Sequence, residues 1–331
     1  MSILFVGDVH AKAEDLKDCE ALHRLILDTV DSHKPDVVVY LGDQYHNHSV
    51  VNVEVQKFWI SAFNEVVRKT RVFALVGNHD KPGDRLSEAT AMQVHSEQIR
   101  VISEPVELDN ILFVPYFHDT KELIRAAAEY PESNVLVCHQ TFDGAKYENG
   151  FYAKEALDPN LLHHSTIISG HIHSPMELGK VIYPGSPRWQ TISDANTDRS
   201  LWLVDIMPDG RLENSIHIPT NNVLRAIWQI TEVAEESGPS TEMLLSARKP
   251  GDLFVVNLQG PQAWCEQRKL ALAGLRPCIR FRTFPSDKKS SQVHESEGVG
   301  VAFKKHFDSY RPKNSTSKEV LAKMVEERVH V

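Results

Sequence analysis

Five short segments hold the side chains best able to bind cations: Gly7-Asp8-Val9-His10, Gly42-Asp43, Gly77-Asn78-His79-Asp80, His139-Gln140 and Gly170-His171-Ile172-His173. Their carboxylate, amide and imidazole groups are oxygen and nitrogen ligands, with no thiolate, a set that favours Mn²⁺ or a similar first-row divalent ion. Two such ions about 3.5–4 Å apart can hold a hydroxide, polarise phosphoryl oxygens and clamp the attacking and leaving atoms of an in-line displacement. A carboxylate belongs between the ions, because it carries charge and offers two oxygens.

Each segment follows an apolar run: Ile3-Leu4-Phe5-Val6, Val37-Val38-Val39-Tyr40-Leu41, Val72-Phe73-Ala74-Leu75-Val76, Val135-Leu136-Val137-Cys138 and Thr166-Ile167-Ile168. Such runs read as strands buried on both faces, and α/β sheets gather their ligands at the strands' carboxyl ends. Between them, Leu16, Cys19, Leu22, Leu25, Ile26, Thr29 and Val30 share one helical face. Val55, Phe58, Trp59, Ala62, Phe63, Val66 and Val67 share another. Strands alternating with helices predict a layered α/β fold, with hard ligands delivered repeatedly to one sheet edge.

The order Asp-x-His, Gly-Asp, Gly-Asn-His-Asp, a lone His and Gly-His-x-His resembles the calcineurin-like metallophosphoesterase superfamily over roughly residues 1–205. The resemblance implies a four-layer sandwich of two mixed β-sheets flanked by helices. It implies two bound divalent cations, with Asp43 bridging them. Asp8, His10 and His173 would complete one protein ligand set, and Asn78, His139 and His171 the other. His79 would not be a ligand; it would stabilise the transition state or protonate the leaving oxygen, work suited to a group titrating near neutrality.

The segment after the second carboxylate narrows the resemblance. Protein Ser/Thr phosphatases carry Gly-Asp-x-x-Asp-Arg-Gly there and Gly-Asn-His-Glu later, whereas this chain has Gln44-Tyr45-His46-Asn47-His48 and Asp80. Gly-Asp-x-aromatic-His is similar to the nuclease subunit of the SbcCD and Mre–Rad double-strand-break repair complexes. So are Gly185-Ser186-Pro187 and the closing run Ser200-Leu201-Trp202-Leu203-Val204-Asp205. The compact length and the Gly-Ser-Pro-Arg-Trp stretch resemble the bacteriophage branch. In those nucleases the equivalent of His46 lies by the metals and is tied to processing DNA ends; a plainer reading makes it a hydrogen-bonder to a ligand. Tyr45, His48 and the pair His163-His164 read as loop or packing residues.

A chain of 331 residues allows a large domain with appendages. Residues 1–219 read as the metallophosphoesterase domain and 220–285 as a small α+β capping domain, built from strands near 224–233, 253–258 and 279–284 and helices ending near 248 and spanning 264–273. Residues 286–314 read as a linker. At 315–331 Thr316 and Glu319 fit a capping box, and Val320, Leu321, Met324, Val325 and Val329 form an apolar stripe. That C-terminal helix either folds back or docks on a partner, which by resemblance is the coiled-coil base of an SMC-like ATPase. Lys304, Lys305, Arg311 and Lys313 make a basic patch for DNA phosphate or for solvent.

The net charge is −9, and residues 1–219 hold 32 acidic against 19 basic side chains. Such a domain repels duplex DNA unless a partner or a homodimer supplies basic surface. Cys19, Cys138, Cys265 and Cys278 show no CxxC pairing, and Cys138 reads as a small buried hydrophobe. With no leader pattern and no apolar run of membrane length, a reducing cytoplasm is the expected setting. No P-loop is present, so ATP hydrolysis would belong to the partner. The expected function is a metal-dependent DNA nuclease subunit of a recombination or repair complex. The competing readings are a small-molecule phosphodiesterase or nucleotide phosphatase with the same site, and a non-catalytic scaffold regulating an ATPase.

Overall fold

The computed structural model describes residues 1–286 apart from 49, 83–88, 148–149, 155, 235–239, 250 and 276–278. Cys278, nearly all of the expected linker, the basic patch and the C-terminal helix therefore lie outside the described residues. The five apolar runs form the strands Ser2–Val6, Val37–Tyr40, Arg71–Leu75, Val135–His139 and Thr166–Gly170. They divide between two six-stranded sheets. The first runs Leu212–Pro219, Ser200–Ile206, Ser2–Val6, Val37–Tyr40, Arg71–Leu75, Arg100–Ile102. The second runs Val106–Leu108, Ile111–Val114, Val135–His139, Thr166–Gly170, Val181–Tyr183, Met176–Leu178. Within each sheet the ligand-bearing strands are parallel to one another, so their carboxyl ends lie together.

Side-chain alternation along each strand assigns the layers. Ile3, Phe5, Val37 and Val39 meet Phe113, Val135 and Val137 in one cluster between the sheets. Leu4, Val6, Val38 and Tyr40 point the other way, onto Leu22 and Ile26 of helix Leu16–His33 and Trp59 and Phe63 of helix Val53–Val67. On the far side Leu136 and Cys138 pack with Leu123 and Ala127 of helix Thr120–Glu129. The result is the expected four-layer α/β sandwich. Asn52 caps the second helix, its side chain accepting from the backbone N–H groups of Glu54 and Val55. Val67 leaves the expected apolar stripe and is exposed; it sits roughly 100° round the helix from buried Val66.

The third sheet has three parallel strands, Ile227–Val233, Leu253–Gly260 and Ile279–Pro285, linked through helices Thr241–Ser246 and Gln262–Ala273. The first strand starts later than the apolar pattern suggests. Leu224 and Ala226 are buried but outside the ladder, because the Ala226 N–H donates to Asp252 Oδ1 (3.0 Å) and Lys249 Nζ donates to the Leu224 carbonyl (3.3 Å). Backbone groups satisfied by side chains need no strand partner. Cys19, Cys138 and Cys265 are free buried thiols, and burial raises the Cys138 thiol to about 12. Among the described residues no helix is long and apolar enough to cross a membrane.

Candidate metal centre

All seven expected ligands, with His79 and His46, converge where the carboxyl ends of the two large sheets meet. Asp8, His10, Asp43 and Asn78 follow strands of the first sheet, while His139 ends a strand of the second and His171 and His173 follow the next one. The turns that aim them are sharp: His10 (φ 47°), Asp43 (φ 54°) and His171 (φ 81°) all sit at positive φ without being glycine. Conformations of this kind cost on the order of 1 kcal/mol or more each and persist only where the surroundings impose them. Here the His10 N–H donates to the Asp43 carbonyl (2.8 Å) and the Ala11 N–H to that of Gln44 (2.9 Å), lacing the first two loops together. A Cβ at Gly42 would run into the His139 imidazole, and one at Gly77 into the Asp43 carboxylate. The glycines of Gly-Asp and Gly-Asn-His-Asp therefore make room for the ligand atoms themselves.

The side chains fall into two groups. Asp8, His10 and His173 each bring a ligand atom within 4.8 Å of the others, as do Asp43, His139 and His171. Asn78 joins the second group, its Oδ1 lying 3.0 Å from His139 Nε2 and 2.8 Å from His171 Nδ1. Asp43 Oδ2 faces both, at 3.3 Å from His10 Nε2 and 3.4 Å from His139 Nε2. His139 Nδ1 donates to the Leu41 carbonyl at 2.7 Å, which turns Nε2 inward. Asp8 Oδ2 accepts from the His171 N–H at 2.9 Å, whereas buried Oδ1 has no hydrogen-bond partner among the described residues. An orphaned carboxylate oxygen among imidazole nitrogens is costly in a protein interior and fits a cation.

Electrostatics point the same way. Burial raises the Asp8 carboxyl to about 6, against His139 and with help from Asp43. Burial also opposes the charge on Asp43, yet His139 and His10 hold that carboxyl well below the usual carboxylate range. Conversely, burial disfavours protonated His139, but Asp43 and Asp8 lift it to about 9. Burial keeps His10 and His171 neutral, the latter falling to about 3. Without a metal, one proton on His139 compensates Asp43; a cation would take its place.

His79 lies against this centre without joining either group. Its N–H donates to Asp43 Oδ1 (2.8 Å), its ring meets His10 edge-on at 4.5 Å, and its Nδ1 donates to the His46 carbonyl at 2.6 Å. The His46 ring is 5.5 Å from that of His10 and 5.6 Å from that of His79, and His10, His46 and His79 form a third potential ligand group. Tyr45 is packed, its hydroxyl 2.8 Å from His95 Nε2, and His164 is buried against His163. His48 is an exposed loop residue whose ring stacks on that of His79 at 4.0 Å.

Two positioning devices escaped the reading of the sequence. Buried Asp80 accepts from the backbone N–H groups of Asp43 (2.9 Å), Gly77 (3.0 Å) and Tyr45 (3.0 Å), tying two ligand loops to one carboxylate. Its place in Gly-Asn-His-Asp was the available signal. Ser186 Oγ donates to the Asp8 carbonyl (2.8 Å), its N–H donates to the His173 carbonyl (2.9 Å), and Arg188 Nε donates to the Val9 carbonyl (2.7 Å). The Gly-Ser-Pro-Arg loop thus buckles the first ligand loop to the last.

The profile of the calcineurin-like phosphoesterase family matches residues 1–175. A putative phosphoesterase of Invertebrate iridescent virus 3 is 28% identical over 200 residues, covering 56% of this chain and 57% of that one. Another, from Invertebrate iridescent virus 6, is 27% identical over 218 residues, covering 61% of this chain and 75% of the relative. The chain thus spans little more than half the length of the first relative. Among solved structures, the E. coli phosphoesterase Yfce aligns at 17% identity with a TM-score of 0.33, over 66% of this chain and all of that one. The family assignment rests on the sequence match, which takes in all five ligand segments: the chain belongs to the calcineurin-like phosphoesterases.

Proposed function

We propose that the chain is a two-metal DNA phosphodiesterase, the nuclease subunit of a recombination or repair complex of the SbcCD and Mre–Rad kind. The observation that carries the two-metal part is Asp43 Oδ2, facing one ligand group at 3.3 Å and the other at 3.4 Å. The DNA part is supported by the Gly-Asp-x-aromatic-His segment and by the His46 ring beside His10 and His79. In this reading Asp8, His10 and His173 would hold one ion, Asn78, His139 and His171 the other, and Asp43 would serve both. Bound divalent ions, Mn²⁺ for this oxygen and nitrogen set, supply an acidified water and neutralise phosphoryl charge.

The protein's own contribution is placement. His79 Nδ1 is committed to the His46 carbonyl, so Nε2 is the nitrogen presented to the ester. As the P–O bond to the leaving nucleoside breaks, that oxygen takes a proton from Nε2 of a cationic ring. Burial lowers the His79 pKa, so the acid form is scarce at neutral pH and is restored after each turnover from solvent. Acidic residues 1–219 leave DNA attraction to other surfaces, for which we propose a homodimer or an SMC-like ATPase partner bound through 315–331.

The test is Mn²⁺-dependent degradation of end-labelled duplex DNA by the purified chain, beside Asp8→Ala and an aryl phosphodiester. DNA cleavage that disappears in Asp8→Ala is the expected result. Turnover of the aryl diester with no DNA cleavage, even with an SMC-like partner present, would replace this reading by a small-molecule phosphodiesterase.

A further inference from the structure

The structure assigns His48, an exposed residue of the loop after Asp43, as a positioning residue for His79. Two contacts carry this. The His48 ring stacks on the His79 ring at 4.0 Å with an interplanar angle of 29°. Its Nδ1 lies 2.9 Å from the backbone carbonyl of Asn78; a carbonyl only accepts, so His48 Nδ1 carries the proton. One side chain therefore grips both the peptide between Asn78 and His79 and the ring that peptide leads to.

The need for such a grip follows from the other contacts of His79. Its Nδ1 is held by the His46 carbonyl at 2.6 Å, a single bond about which the ring can still swing. His10 touches it edge-on at 4.5 Å, and the His46 ring stands off at 5.6 Å. The 4.0 Å stack from His48 is the nearest ring contact of His79 among the described residues and limits how far that ring can turn. A ring that swings by a few tenths of an ångström no longer presents Nε2 to the leaving oxygen, and proton transfer depends steeply on that distance. His48 is on the surface of a loop, so replacing it should leave the fold intact.

The inference rests on the acid role proposed for His79, and the experiment separates the two. His48→Ala, His48→Phe and His79→Asn are compared on two diesters with Mn²⁺: dithymidine phosphate, whose leaving alkoxide needs a proton, and a thymidine p-nitrophenyl phosphate, whose leaving phenolate does not. For His48→Ala we expect kcat on the dinucleotide to fall about tenfold, with KM and the nitrophenyl rate within about twofold. His48→Phe, which keeps the stack, should recover most of the loss. Equal losses on both substrates, or none, overturn the positioning role. If His79→Asn shows no leaving-group dependence, the acid role of His79 fails instead. A second readout then stands alone: long-range ¹H–¹⁵N spectra of the magnesium-loaded protein, with the His79 signal identified by its absence in His79→Asn. A single Nδ1–H tautomer that becomes an exchange average in His48→Ala upholds the grip, and an unchanged tautomer refutes it.

Discussion

Where the two large sheets meet, Asp8, Asp43 and the rings of His10 and His139 crowd together almost out of water beside the half-buried ring of His173, at positive φ in two of the five. In the three-stranded sheet the charged groups are arranged differently. Arg268 donates to Glu232 at 2.5 Å and to Glu242 at 2.6 and 2.9 Å, from ordinary helix and strand backbone and partly in solvent. The second region matches Arg268 with two carboxylates of the same chain. The first region collects acceptors, keeps one carboxylate oxygen unpartnered and becomes complete only with a cation. A functional site shows itself by interactions that its own chain leaves unfinished.

Breaking the acceptor cluster should have the largest effect. Asp43→Ala removes the one oxygen facing both groups, and hydrolysis should fall by 10²–10³-fold or more, on the order seen when an electrostatic anchor of a transition state is lost. Mn²⁺ should also cease to raise the melting temperature; at a hundred times Kd the wild type gains about 2.7 kcal/mol. Two tightly bound ions in the variant, counted by elemental analysis, would end the bridging assignment.

Loosening the support of the cluster should cost less. Asp80→Ala orphans three buried backbone N–H groups. Activity should drop about 10–100-fold with weaker metal binding, the range for outer-shell partners. Unfolding by urea should show a loss of about 1–3 kcal/mol for each N–H group that finds no new partner. Full activity in Asp80→Ala would mean that the Asp43 loop holds its shape without it.

Acidity gives a milder handle on the same contrast. His139 keeps a proton up to about pH 9 in the metal-free protein, so a cation must displace it. Affinity for Mn²⁺ should therefore rise by about tenfold per unit between pH 6 and 8, with roughly one proton released per protein. Protonation of Asp8, raised to about 6, steepens the fall on the acid side. Calorimetric titration in buffers of different ionisation enthalpy measures the release, and a flat profile would contradict the His139 pairing.

Arg268→Ala in the three-stranded sheet should do least. Its partners are partly exposed, so water and salt screen the pairs, and the loss should be about 0.5–1 kcal/mol of stability. Metal affinity should not change. A parallel loss of Mn²⁺ binding would show that the two regions are coupled rather than independent.

Much of this was legible in the order of residues. A strand buried on both faces must be an apolar run, and a ligand just beyond its end needs no tertiary information to be suspected. Hence Asp8, Asp43, Asn78, His139 and His171 stood out together with the strands that carry them. His48 and Asp80 did not stand out for what they do. His48 acts through a ring thirty-one positions later in the chain, and Asp80 through the backbone of a different loop, neither of which has a local signature. Leu224 and Ala226 looked like strand because burial and apolar pattern are shared by strands and by packed turns; a side chain from 252 decides between them.

By itself, then, the sequence determined the five ligand-bearing strands to within a residue or two, the chemical type of the ligands and the chain's membership of the calcineurin-like phosphoesterases, because these depend on runs and spacings of a few residues. Which carboxylate oxygen faces which imidazole was decided only by the packing of one sheet on the other. That packing brings Asp43 from the first sheet to His139 from the second at 3.4 Å, and distances between loops some hundred residues apart are set by the core beneath them.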